Sequence, residues 1–196
     1  MNRTADNTSR LKSTFRTIPN YLTLLRIALV PVFVLLLLKN RQAEAFFVFL
    51  AAGLTDVLDG LAARLWHQQS VAGLWLDPIA DKLLIFSSFF LLSLSDFAHP
   101  NTIPWRVFWV VLGRDLLIVI GAVVLYFLKI KQNFPPTMLG KTSTVCQVIT
   151  VLAVLFFNFL QKQTNLLSWL FDLTILATVL SGLQYIQVGI SALRRK

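Results

Sequence analysis

The sequence contains nine acidic residues, and four of them, Asp56, Asp59, Asp77 and Asp81, fall in the stretch TDVLDGLAARLWHQQSVAGLWLDPIAD. Asp56, Asp59, Gly60, Ala63 and Arg64 stand at i, i+3, i+4, i+7 and i+8, a spacing that gathers them on one face of a helix. Gly73, Asp77 and Asp81 then recur at intervals of four, a second helical stripe carrying two more carboxylates. A hairpin would bring the two stripes together. Because Pro78 follows Asp77, the pattern predicts a helix that starts there, with Asp77 as its cap and Pro78 at the first position, where a missing N–H does no harm. Four converging carboxylates repel one another unless they are paired, protonated or metal-bound, and basic residues within the stretch are too few to pair them. A donor set of oxygen alone selects Mg²⁺ or Mn²⁺, and four carboxylates suit two such ions. Two-metal sites are suited to displacement at phosphorus.

The elements that must position these residues lie in a membrane. Of the 196 residues, 56% are apolar, above the share of a soluble domain, and the mean hydropathy is +0.70. Apolar stretches near residues 20–38, 43–65, 78–95, 103–128, 141–160 and 166–193 each supply the roughly 20 residues that a helix needs to cross the hydrocarbon core. The expected fold is an all-α integral membrane protein with six transmembrane helices and both termini cytoplasmic. Residues 1–18 form a basic cytoplasmic tail, and residues 19–196 form one six-helix membrane domain.

Orientation follows from the distribution of charge. The segments assigned inside hold Arg3, Arg10, Lys12, Arg16, Arg64, Lys129, Lys131, Lys141, Arg194, Arg195 and Lys196, against Lys39, Arg41, Arg106 and Lys162 outside. The same dispersal argues against a nucleic-acid partner despite a net charge of +9, since no single soluble face gathers the positives. The polar start is read as a retained anchor, because the apolar run after it is long and has no small-residue cleavage site. Arg194, Arg195 and Lys196 suit contact with anionic lipid. Trp66, Trp75, Trp105, Trp109 and Trp169 fall mostly near span ends, as interfacial anchors do.

Composition narrows the chemistry further. Cys146 is the single cysteine, so neither an internal disulfide nor a thiolate cluster is available, and His67 and His99 are too few for a histidine metal site. No glycine-rich phosphate loop is present, so phosphate chemistry must rely on metals. Carboxylates inside a membrane also serve proton relays and ion pathways. Gly60, Ala63 and Gly73, however, leave room on the carboxylate faces for a bulky group to approach, which a bare ion path does not need.

At these positions the sequence resembles the CDP-alcohol phosphotransferase family, whose signature DxxDGxxARx8GxxxDxxxD is matched at every specified position from Asp56 to Asp81. IPNYLTLLRIALVPVF and LDPIADK extend the likeness toward its phosphatidylglycerophosphate synthases and the related cardiolipin synthases. The resemblance implies six helices, often a homodimer, and a cytoplasmic-side site where nucleotide, lipid and two divalent metals, Mg²⁺ or Mn²⁺, meet; a compact chain of this size with no transit-like N-terminus suits a bacterial inner membrane. It implies metal ligation by Asp56, Asp59, Asp77 and Asp81, with Asp81 also the general base. Asp56, Gly60, Ala63, Arg64 and Gly73 match nucleotide-contacting positions. The implied reaction is attack of an acceptor hydroxyl on CDP-diacylglycerol with release of CMP.

The acceptor is read from basic residues near the cytoplasmic ends of the later spans. Arg114 in VLGRDLL and Lys141 in MLGKTST suit the phosphate of glycerol 3-phosphate, although Arg114 has Asp115 beside it as a rival partner. Asn20, Thr23 and Arg26, at i, i+3 and i+6, form a looser stripe that fits a nucleotide or headgroup, with interfacial snorkelling as the competing explanation. In the resemblance the Arg-Asp pair sits closer to cardiolipin synthases, which use phosphatidylglycerol, while IPNYLTLLRI, LDPIADK and Lys141-Thr142 sit closer to the glycerol-phosphate branch. The expectation is glycerol 3-phosphate, with phosphatidylglycerol as the alternative. A non-enzymatic divalent-cation transporter is the alternative of another class, disfavoured because the aspartate pattern has no second copy.

Overall fold

The computed structural model describes residues 18–66, 71–128 and 137–194, with side chains described over 24–56, 79–125, 127–128 and 137–191. Among the described residues there are six helices: α1 (Ile18–Leu38), α2 (Gln42–Trp66), α3 (Val71–Ser93), α4 (Trp105–Phe127), α5 (Met138–Phe159) and α6 (Leu166–Arg194). Three of them are long and apolar enough to cross a membrane, over Trp105–Leu125, Met138–Phe159 and Leu166–Ser191. Leu24–Leu38 is a shorter apolar helix. Trp109, Val119, Ile120, Phe127 and Trp169 stand exposed on these helices, an apolar surface that water would not tolerate and lipid does.

The helices match the expected spans to within three residues at every end but one. The exception corrects the sequence reading: α3 starts at Val71 and runs straight through Asp77 and Pro78, so Asp77 does not cap it. Proline in a helix interior removes one backbone bond, a loss that apolar helices of membrane proteins accommodate. Pro31 inside α1 is a second instance. As a result Gly73, Asp77 and Asp81 share one uninterrupted helix, and their spacing of four sets them along one stripe.

The chain divides into two compact units, Met1–Leu91 and Leu92–Lys196. In the first, α1 packs along α2 through Phe33, Leu37, Ala45, Phe49 and Ala52, all buried, with the Phe33 and Phe49 rings 5.6 Å apart. Between them the chain reverses over Lys39–Arg41. Asn40 takes a left-handed conformation (φ 56°) while its N–H bonds Leu37 O and the Arg41 N–H bonds Leu36 O, closing the end of α1.

In the second unit α6 packs against both α4 and α5. The buried positions of α5, Gly140, Ser143, Gln147, Thr150, Val151, Val154, Leu155 and Asn158, step by three and four along one face. Most of the polar members of that face find partners. Ser143 bonds Thr178 at 3.1 Å and Thr150 bonds Thr174 at 2.7 Å, a ladder of hydroxyls between α5 and α6. At the far end of α5, Asn158 accepts from the Asn101 N–H at 2.8 Å and returns a bond to the Asn101 carbonyl at 3.0 Å, pinning the loop before α4. In a membrane such bonds supply the attraction that burying apolar surface supplies in water.

Candidate functional site

The first site is built on three helices of the first unit. Arg26, one helical turn from Thr23 on α1, is completely buried. Its Nη1 donates to Asp81 Oδ1 on α3 at 2.5 Å, and its Nη2 lies 2.8 Å from Asp56 Oδ1 on α2. The two carboxylates differ from it in exposure: their side chains are 51% and 41% accessible against 1% for the guanidinium. The arginine thus forms a buried floor, and the acids open outward from it.

This arrangement removes the competing explanation for Arg26, which does not snorkel to an interface, because it is buried and paired to two acids. The local shortage of positive charge is also met from outside the acidic stretch, by a residue thirty positions earlier on α1. A buried guanidinium must be paired, and the two carboxylates supply that opposite charge. The signal in the sequence was an arginine inside an apolar run, which is expensive unless it has a task.

The remaining members of the acidic pattern are placed by backbone alone. Asp59, Gly60, Ala63 and Arg64 continue α2 beyond Asp56, Gly73 and Asp77 precede Asp81 on α3, and Asn20 and Thr23 precede Arg26 on α1. Their side chains lie outside the described residues. Among the described residues no three metal-ligating side chains meet, since only Asp56 and Asp81 of the four aspartates are included. The donor set that is described, carboxylate oxygen with partial exposure, fits Mg²⁺ or Mn²⁺.

A second cluster surrounds Arg114 on α4. Its Nη1 donates to Asp115 Oδ1 at 2.8 Å, its Nε and Nη2 donate to Ser181 Oγ on α6 at 3.2 and 2.9 Å, and its guanidinium lies 5.4 Å from the centre of the Tyr185 ring. The pairing with Asp115 weighed from the sequence is therefore present. Ser181 and Tyr185 were not anticipated; their signal is a polar stripe of Thr174, Thr178, Ser181 and Tyr185 at intervals of three and four along an apolar helix.

Gly140 closes this cluster from α5. A Cβ there would stand 3.0 Å from Thr137 Oγ1, 3.2 Å from Arg114 Nη2 and 3.3 Å from Tyr185 Oη, so glycine lets the start of α5 come this close without displacing those side chains. Thr137 caps α5, its hydroxyl accepting from the Gly140 N–H at 3.0 Å. Lys141, the other expected acceptor ligand, follows Gly140 in the first turn and is exposed.

Beside Tyr185 a groove of about 800 Å³ runs between α4 and α6, lined by Gly113, Leu117, Gly121, Leu125, Ile186 and Gly189 among others. A Cβ at Gly113, Gly121 or Gly189 would meet nothing within 4 Å, so these glycines widen the groove and are not demanded by packing.

Comparison with known proteins identifies the family. The sequence profile of the CDP-alcohol phosphatidyltransferase family matches residues 16–181. The chain is 34% identical over 155 residues to the CDP-diacylglycerol--glycerol-3-phosphate 3-phosphatidyltransferase of Aquifex aeolicus, covering 76% of this chain and 84% of that protein. It is 28% identical over 177 residues to the Haemophilus influenzae protein of the same name, covering 88% and 92%. With the human cardiolipin synthase (CMP-forming) it shares 32% identity over 192 residues, 88% of this chain but only 62% of the human protein's length. A profile that spans Arg26, the acidic helix pair and Arg114 alike leaves one conclusion: the chain belongs to the CDP-alcohol phosphatidyltransferase family.

Proposed function

We propose that this protein is a membrane phosphatidyltransferase that moves the phosphatidyl group of CDP-diacylglycerol onto glycerol 3-phosphate, giving phosphatidylglycerophosphate and CMP. The observation that carries the reading is the meeting of Asp56 and Asp81 over a buried arginine, within an acidic pattern that the family profile covers. In this reading all six helices span a bacterial inner membrane, both termini are cytoplasmic, residues 19–196 form one domain behind the tail 1–18, and the protein works as a homodimer. The charge distribution and the apolar helices support that topology.

Asp56, Asp59, Asp77 and Asp81 would hold two divalent ions, which when bound supply charge neutralisation to the pyrophosphate. Gly60, Ala63, Arg64 and Gly73, with Asp56, would admit and contact the cytidine nucleotide. The acceptor hydroxyl oxygen forms a bond to the β-phosphorus as the bond from that phosphorus to the CMP oxygen breaks. Its proton passes to Asp81 and CMP leaves with the electron pair. Arg114 and Lys141 would orient the acceptor phosphate, with Asn20 and Thr23 at the start of α1 as further candidate contacts; most of the rate then comes from position and electrostatics.

A second acceptor, phosphatidylglycerol, is supported by the likeness to the human cardiolipin synthase, and the apolar groove beside Tyr185 would admit an acyl chain of a lipid acceptor as well as of the donor lipid. Both readings are tested together by incubating purified protein and Mn²⁺ with CDP-diacylglycerol plus either acceptor and measuring CMP and the lipid formed. Phosphatidylglycerophosphate supports the first, cardiolipin formed only with phosphatidylglycerol supports the second, and no metal-dependent CMP release with either overturns both.

A further inference from the structure

We infer that Arg26 is the resident counter-ion of the metal site: it holds Asp56 and Asp81 together when no metal is bound and competes with divalent cations for those carboxylates. The inference rests on the reading of these aspartates as metal ligands. Its own basis is geometric. One guanidinium reaches two acids on two different helices, at 2.5 and 2.8 Å, from a position with no exposure of its own. Without it, Asp56 in the middle of α2 and Asp81 in the middle of α3 would lose the cation that both pair with, and like charges held close together repel.

The same contacts make the arginine a rival to metal. Each acid presents an oxygen to Arg26, and a divalent ion entering from the exposed side must draw on carboxylates whose charge is already partly neutralised. A positive charge this close weakens the attraction of a second cation to the same oxygens, and because both acids are half exposed, solvent screens that effect toward the lower end of its range. The arginine therefore lowers affinity for Mg²⁺ or Mn²⁺ while keeping the empty site assembled.

This role is separable from that of a purely structural residue by the sign of one effect. If Arg26 only holds the helices in place, removing it scatters the ligands and metal binds more weakly. If it is a competing counter-ion, removing it frees the carboxylates and metal binds more tightly, even as the metal-free protein becomes less stable.

The experiment titrates Mn²⁺ into the purified full-length protein in detergent without substrate, following free Mn²⁺ by electron paramagnetic resonance and melting temperature in parallel. Arg26→Gln is expected to tighten Mn²⁺ binding about tenfold and to melt several degrees lower without metal, recovering the difference as Mn²⁺ is added. Arg26→Lys keeps the charge but not the two-pronged fork, so its affinity is expected between those of Arg26→Gln and wild type. Should Arg26→Gln fail to fold, Arg26→Lys decides alone, tighter binding than wild type supporting the inference. Unchanged or weaker Mn²⁺ binding in the folded variants overturns it while leaving the metal ligands in place. Absence of Mn²⁺ binding in wild type overturns the metal reading and the inference with it.

Discussion

Each unit of the molecule buries an arginine, and the two are satisfied in opposite ways. Arg26 is met by carboxylates from two other helices, so its charge is spent on an anionic cluster that opens to the surroundings. Among the described residues Arg114 is met by one carboxylate, that of its own neighbour Asp115, and otherwise by a serine hydroxyl and a tyrosine ring that carry no charge. One environment leaves carboxylate oxygens open to a cation, and the other keeps a guanidinium among partners that mostly carry no charge. A single residue type therefore says little, and the partners supplied by other helices decide its task.

The sharpest way to break the comparison is on the acidic side. Asp81→Asn keeps the shape and the bond to Arg26 but removes the charge and the proposed base. CMP release is expected to fall by about 10³-fold, the equivalent of ~4 kcal/mol of transition-state stabilisation. Activity within tenfold of wild type would remove Asp81 from the chemistry. On the other side, Arg114→Gln keeps a donor for Ser181 and loses the cation. If Arg114 orients the acceptor, kcat/KM for the acceptor drops by about 10²-fold, as for the loss of a charged hydrogen bond of ~3 kcal/mol, while KM for CDP-diacylglycerol stays put. An equal loss toward both substrates would assign Arg114 to packing.

The sequence made the helices legible because apolar runs of membrane length are long, periodic and bounded by polar loops. It misplaced the start of α3, since Asp77-Pro78 is a strong start signal in water, whereas this apolar helix absorbs the proline seven residues after its true start at Val71. The acidic motif was legible as a pattern, yet its counter-ion was not. Arg26 lies on a different helix, and only packing reveals which distant residue a charge will meet. The same holds for Ser181 and Tyr185 around Arg114. The chain reversals escaped notice as well: Asn40 and Gln161 adopt left-handed conformations without glycine, and Gln161 has no propensity that announces it.

A smaller effect sharpens the comparison by moving Arg114 without removing it. Gly140→Ala places a methyl group 3.2 Å from Arg114 Nη2 and 3.3 Å from Tyr185 Oη, so the guanidinium must shift by a few tenths of an ångström. The acceptor KM is expected to rise several-fold, up to about tenfold, with little change in the melting temperature. Gly182→Ala is the control, because its nearest neighbour would be Arg114 Cγ at an ordinary 3.8 Å. Equal behaviour of the two variants would show that the position of the guanidinium does not matter to the acceptor.

The smallest effect concerns the neutral ladder between α5 and α6, the helix that carries Ser181. Thr150 and Thr174 bond each other at 2.7 Å, both fully buried, and Thr174 has a second, longer contact of 3.5 Å to the Cys146 carbonyl. Thr150→Val therefore leaves Thr174 with an acceptor, whereas Thr174→Val leaves Thr150 without its cross-helix partner. Within a membrane such a bond is worth about 0.6 kcal/mol, because a separated helix finds other partners. The pair should show a coupling of that size in a double-mutant cycle of unfolding in detergent, with Thr150→Val the milder single change. Neither variant should alter CMP release measurably. A loss of acceptor affinity in either would mean that the ladder tunes the arginine and not merely the packing of α5 on α6, and that the two halves of the comparison differ in the reach of their networks as well as in their charge.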